Sequence, residues 1–270
     1  IMYSECLSRY ARTPIPATSN AIESLMVIFI LSLVHLFVKE LRRLQAPVRI
    51  GLLSAGAGAS LAYVLMRILP KLAEKQQDLL AGPDLGLRGF LEHHAYFVAM
   101  LGLVVYYGIS RLAAYGSADA RSGVTRNYRL ALVATVIAYG AYSALIAYLI
   151  VNRLHLGLFS MALITLGMGT LFLVSDHGLY KQWHDIYDRW IRWVLTGALL
   201  AGWAIGVWIE VSPNVVALWY AFLAGLMLIT TIGEKLSIDE NGSFWPFLAG
   251  VVLFTILVLI LEQKSQTGVY

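Results

Sequence analysis

The sequence predicts an all-α membrane protein, a single bundle of about eight spanning helices. Three observations predict it. Hydrophobic residues make up 59% of the chain and charged residues 13%, with a mean hydropathy of +0.71. A soluble domain carries roughly 25% charged residues, so this chain cannot cover a water-facing surface. The apolar residues come in runs long enough to cross a hydrocarbon core of about 30 Å. The Lys and Arg residues, with many of the 7 Trp and 15 Tyr, gather at the ends of those runs. Membrane proteins put their interfacial anchors there.

Taken in order, residues 1–20 are polar and include Pro14 and Pro16, which reads as an extended arm. They lack the pattern of a cleavable secretory signal. The first helix covers about Ala21–Val38, and Lys39, Arg42, Arg43 and Arg49 fill the connection. The second covers about Ile50–Leu69 and stops at Pro70. A polar stretch, Lys71–Gly89, follows with a turn signal at Gly82-Pro83. The third helix covers about Phe90–Leu112, and Tyr115–Arg129, with Gly116, Ser117, Gly123 and three Arg, reads as a solvated loop. The fourth is about Leu130–Asn152 and the fifth, after a very short turn, about Leu156–Leu179. Trp183–Arg192 reads as an interfacial start to the sixth, which ends near Glu210. Ser212-Pro213 opens the seventh, ending near Gly233, and the eighth is about Phe244–Leu261. The membrane domain is thus 21–262 and the C-terminal tail 263–270.

Eight spans put both termini on one side. The linkers between odd and even spans then carry twelve Lys and Arg, from Lys39 through Lys235, against eight on the terminal side, from Arg9 through Lys264. By the positive-inside rule the termini face away from the cytoplasm, in a plasma or bacterial inner membrane. The same clustering at span ends excludes nucleic acid as the partner of the +4 net charge. One cysteine, Cys6, allows no internal disulfide. Small residues recur four apart at Ser54, Gly58 and Ala62, at Gly202 and Gly206, and at Ala217, Ala221 and Gly225. Such stripes let helices approach closely in lipid, so they mark mutually packed faces.

Ionisable residues inside a span are the usual pointer to function. Arg67, in the last turn of the second helix, lies level with Glu23, Glu92 and Glu210 and is expected to form a structural ion pair with one of them. His35 lies near the inner end of the first helix. His93 and His94 are adjacent and point about 100° apart, which suits interfacial hydrogen bonding better than metal ligation. The densest set with ligand chemistry is Asp176, His177, His184, Asp185 and Asp188. It reads either as a peripheral metal site, which needs three or four convergent ligands, or as a solvated cuff anchored by Trp183, Tyr187, Trp190 and Trp193. The cuff explains the same residues with fewer requirements. No nucleophile elbow, phosphate loop or His-Glu-x-x-His pattern is present, so no enzyme chemistry and no cofactor are expected.

The second helix reads Ala57-Gly58-Ala59-Ser60-Leu61 and then Arg67-Ile68-Leu69-Pro70; the seventh reads Ala221-Phe222-Leu223-Ala224-Gly225-Leu226 and then Glu234. Gly58 to Arg67 and Gly225 to Glu234 have the same spacing, and the two helices run in opposite directions. Phe247-Leu248-Ala249-Gly250 repeats the theme on the eighth. With these motifs the chain resembles the ZIP (Zrt/Irt-like) metal transporters. The resemblance implies eight helices, outward termini and inverted repeats. It also implies a metal site with a His-Ser-x-x-Asp-Gly type motif on the fourth helix and His-x-x-Pro-Glu on the fifth. Here the fourth offers Tyr142-Ser143-Ala144-Leu145-Ile146-Ala147, with Tyr142 in place of His and Ile146 in place of Asp, and the fifth offers Gly167, Met168, Gly169 and Thr170. Neither supplies the carboxylates or imidazoles that replace a divalent cation's water shell.

The expectation is therefore a ZIP-like protein without the intramembrane metal ligands, acting as an accessory or structural subunit of a membrane complex. Its partners would be lipids and other membrane subunits or a second copy. The alternative is a permease for a neutral or weakly polar substrate, lined by Tyr139, Tyr142, Ser143, Tyr148, Thr165 and Thr170. A divergent metal-ion transporter is the third reading.

Overall fold

The structure is a computed structural model that describes residues 17–80, 94–121, 125–151, 158–209, 211–235 and 243–266. Among them eight helices are long and apolar enough to cross a membrane, and no strand occurs. The protein is an all-α integral membrane protein. We number the helices α1 (Ala17–Phe37, closed by a 3-10 run Val38–Arg43), α2 (Ala46–Tyr63, Val64–Ile68 and Leu69–Leu80), α3 (Ala95–Arg121), α4 (Thr125–Val151), α5 (Leu158–Gln182), α6 (His184–Ile186, Tyr187–Ile191 and Arg192–Trp208), α7 (Pro213–Lys235) and α8 (Phe244–Gln266).

Three boundaries differ from the sequence expectation for identifiable reasons. The second helix does not stop at Pro70; it runs on to Leu80. Val64–Ile68 forms a π turn in which the Leu69 N–H bonds the Val64 carbonyl, so the helix is already widened before Pro70 arrives without an N–H. The supposed loop Tyr115–Arg129 is helical through Arg121 and again from Thr125. It contains no proline, and its Ala and Arg residues favour helix. At the two ends, α1 starts at Ala17, before the expected Ala21, and α8 reaches Gln266, beyond the expected Leu261.

Helix contacts follow a simple rule. α1 packs on α5 and α6, α2 on α5 and α8, α3 on α4 and α7, and α4 on α6, with smaller contacts α2–α7, α4–α7, α5–α8, α1–α4, α2–α3 and α5–α7. Exchanging α1 with α6, α2 with α7, α3 with α8 and α4 with α5 maps most of these contacts onto one another, whereas α2–α3 and α5–α7 have no counterpart. Each exchange joins an odd span to an even one, so the related helices run in opposite directions. That is the relation of an inverted-topology repeat.

Glycines carry the symmetry down to the backbone. A Cβ on Gly58 of α2 would collide with the carbonyl of Phe247 on α8, and one on Gly250 of α8 would collide with the carbonyl of Ala55 on α2. The other half repeats this with Gly225 of α7 against Ala99 of α3, and Gly102 of α3 against Phe222 of α7. In all four cases the obstructing carbonyl lies three residues before the glycine on the facing helix. Backbones this close gain van der Waals contact in a solvent that offers no hydrophobic drive for association. Gly202 of α6 makes a similar approach to Ala144 of α4.

The interior holds two apolar clusters. The larger one joins Leu31, Ile146, Leu171, Phe172, Leu199 and Met227, among others. The smaller one, toward the odd-to-even linkers, contains Val38, Leu41, Leu179, Trp183, Tyr187 and Ile191. Outward faces are apolar, as lipid contact demands, and Trp190, Trp208 and Trp245 are exposed near span ends.

Candidate functional site

The residues with chemistry in the interior meet where the two apolar clusters adjoin. α1 carries His35 there because its apolar run places Ile28, Leu31 and His35 on one buried stripe at helical spacing. α5 brings Asp176 to the same level by the stripe Phe172, Asp176 and Leu179. Both side chains are only 1% exposed, and His35 Nδ1 lies 2.5 Å from Asp176 Oδ2. α6 completes the group. The Tyr187 hydroxyl donates to the same Oδ2 at 2.9 Å and lies 3.3 Å from the His35 carbonyl oxygen.

Tyr187 stands at the first residue of a second π turn, Tyr187–Ile191, just after the chain bends at Trp183. The bend swings the start of α6 inward over α5. π turns gather at functional positions because the widened turn re-aims a side chain. Apolar rings close the site: Phe172 lies 4.6 Å from the His35 ring, and Tyr180 meets Tyr187 edge-on at 5.9 Å. His35 is six residues before Leu41, the end of its span, and Asp176 six before Gln182. At 1.5 Å per residue the pair sits about 9 Å inside the odd-to-even linker end of the bundle.

An ionised carboxylate only accepts hydrogen bonds. With Asp176 ionised, both of its contacts at Oδ2 are therefore donated to it, and His35 carries its proton on Nδ1. The opposite nitrogen, Nε2, is enclosed and has no hydrogen-bond partner. The hydroxyls of Ser32, one turn earlier on α1, and of Ser175, beside Asp176, are also enclosed without a partner. Buried polar atoms are normally satisfied, so these three are exceptions, as are others among the described residues such as Trp183 Nε1 and the Thr231 hydroxyl.

Asp176 therefore belongs to the membrane interior and not to a solvated cuff. It points to α1, away from the other residues once grouped with it. His177 is half-buried and His184 stacks on Tyr180 at 4.7 Å. The bend at Trp183 also breaks the helix that would have aligned them. No three His, Cys, Asp or Glu side chains converge among the described residues. Of the expected aromatic anchors, Trp190 and Trp193 are exposed, but Trp183 and Tyr187 are buried.

The tyrosines, serine and threonines expected to line a substrate path are spread along the bundle. Tyr139 bonds Tyr106 at 2.7 Å, and Tyr148 reaches the Ile209 carbonyl at 3.4 Å and packs on Trp219. Thr165 and Thr170 bond back to their own helix at Met161 and Leu166, and Ser60 donates to Thr170 at 3.4 Å. Tyr142 and Ser143 are buried, Tyr142 edge-on to Phe172 at 6.1 Å. Arg67 and Glu23 are half-buried, while Glu92 and Glu210 lie outside the described residues, as does His93.

Sequence reading named His35 and Asp176 separately and did not join them. A signal was available. Both are ionisable, both lie inside apolar spans, and both are six residues from the same end of the bundle. No family model matches this chain, and no curated protein or solved structure matches it.

Proposed function

We propose that this chain is a ZIP-like membrane protein whose bundle centre has been given over to packing, and that it serves as an accessory or structural subunit of a membrane complex. One observation carries the reading. The space among α2, α4, α5 and α7, where the resemblance would put metal ligands, is filled by side chains. Ile146, Leu171 and Met227 are fully buried there, Phe172 meets Tyr142, and the ring of Tyr63 lies directly over Gly167. A subunit held by its neighbours needs such a packed centre, whereas a carrier needs a polar one. The proposed orientation has both termini extracytoplasmic in a plasma or bacterial inner membrane, on the twelve-to-eight bias of Lys and Arg.

The test is purification from native membranes in mild detergent through two unrelated affinity steps, followed by reconstitution. A membrane partner retained at fixed stoichiometry, with no zinc, iron or manganese uptake by vesicles of the purified chain, supports the proposal. A partner-free protein that accumulates a metal or a small neutral solute overturns it.

A second reading, a permease for a neutral or weakly polar substrate, is favoured by the exchange symmetry of the helix packing. Inverted repeats give a carrier two related arrangements, opening to opposite sides. Under this reading the filled centre is the closed arrangement.

A further inference from the structure

We propose that the His35–Asp176–Tyr187 cluster is a proton-binding site, loaded and unloaded from the odd-to-even linker end of the bundle. The inference does not depend on whether the chain is a subunit or a carrier.

Proton counting leads to it. Consider the three positions His35 Nδ1, His35 Nε2 and the Asp176 carboxylate. With one proton among them, held on Nδ1 against Asp176, the cluster carries one negative charge inside an apolar bundle. Such a charge is costly without a compensating cation. With a second proton the cluster is neutral, either as imidazolium beside carboxylate or as neutral imidazole beside carboxylic acid. In both neutral forms that keep one proton between Nδ1 and Oδ2, Nε2 bears a hydrogen. The occupancy of Nε2 therefore reports loading, wherever the shared proton lies on the short His35–Asp176 axis. Loading makes one N–H bond at Nε2 with a proton from water, and unloading returns that proton to water.

The geometry suits exchange better than a permanent lock. Asp176 Oδ2 is held by two contacts, from Nδ1 and from the Tyr187 hydroxyl, so the ring is oriented before any proton arrives. Nε2 is left over, with the partnerless hydroxyls of Ser32 and Ser175 in the same layer as potential relay groups. The linker end lies about 9 Å away, roughly two turns of helix.

The surrounding charges are mixed in sign. α1 and its 3-10 extension bring Lys39 and Glu40, which pair with each other or with Arg43. On α6, Asp188 and Arg192 act on Tyr187 from opposite signs. On the far side of α5, His177 feels Lys181, Arg49 of α2 and His184. α4 approaches through the neutral Tyr142 by way of Phe172. No single neighbour among these is positioned as a permanent counter-ion to Asp176 in place of His35.

The experiment is a nuclear magnetic resonance titration of the full chain in lipid bilayers, with isotope-labelled histidine. His35 is one of six histidines, and its signal is assigned by difference from His35→Gln. The expected result is a change of Nε2 from bare to protonated as the sample is taken from about pH 8 down to about pH 5, the window covered by the titration. Asp176→Asn should weaken proton binding about tenfold or more, since an adjacent carboxylate is lost. Tyr187→Phe should strengthen it, because the carboxylate loses a donor that stabilises its charge. An Nε2 that stays in one form across the window overturns the proposal and leaves a structural tie. So does a titration that neither variant moves. Should Asp176→Asn fail to fold, the unmodified chain and Tyr187→Phe still decide.

Discussion

His35 and Asp176 are 141 positions apart in the chain and share a single short contact, Nδ1 to Oδ2 at 2.5 Å, that ties the first span to the fifth. Tyr187 adds the sixth span to the same oxygen. Three helices are thus fixed to one another at one level of the membrane by one carboxylate.

The tie predicts an asymmetric mutational pattern. His35→Leu leaves a buried carboxylate with only the tyrosine, and should cost about 3–5 kcal/mol. Asp176→Leu leaves a neutral imidazole lacking a partner and should cost less, about 1–3 kcal/mol. The double replacement should be less damaging than His35→Leu alone, since no charge is stranded. Tyr187→Phe should cost about 0.6 kcal/mol, and no more than about 1.7. Equilibrium unfolding in mixed micelles would measure all four, and a double mutant worse than both singles would contradict the account.

The glycine crossings predict a second pattern. Gly58→Ala and Gly225→Ala each force a methyl into a facing backbone carbonyl, which cannot move aside as a side chain could. Each should destabilise by about 1–3 kcal/mol, and by similar amounts, because the two crossings are equivalent. Gly108 and Gly197 face open space, so alanine there should be neutral or stabilising by up to about 1 kcal/mol. Thermal unfolding of the four variants in one detergent is sufficient. Equal sensitivity at all four would mean that helix propensity, not crossing distance, governs these positions.

The orientation proposed from the basic residues predicts that Gln45, exposed in the connection between α1 and α2, faces the cytoplasm. In a Cys6→Ser background, Gln45→Cys should resist a membrane-impermeant maleimide in intact cells and react after permeabilisation. Labelling from outside would invert the topology.

Composition and the spacing of apolar runs were enough to specify an all-α bundle with eight spans, because lipid allows a chain few ways to satisfy its backbone. The stripes of small residues at Gly58, Gly202 and Gly225 were also legible, since only glycine admits a neighbouring backbone so closely. Helix ends were less so. The π turn before Pro70 depends on local geometry that residue type alone does not fix, and the helical course of Tyr115–Arg121 was hidden by Gly116 and Ser117, which read as loop residues.

What the tertiary structure decided was partnership. From the chain alone, Asp176 sat among His177, His184 and Asp188 as a surface group, because neighbours in sequence are the only neighbours a sequence displays. Packing turned Asp176 away from all of them. Two helices from distant parts of the chain supply its imidazole and phenol, and a buried carboxylate must find such partners wherever the fold brings them, since neither lipid nor apolar side chains can solvate it.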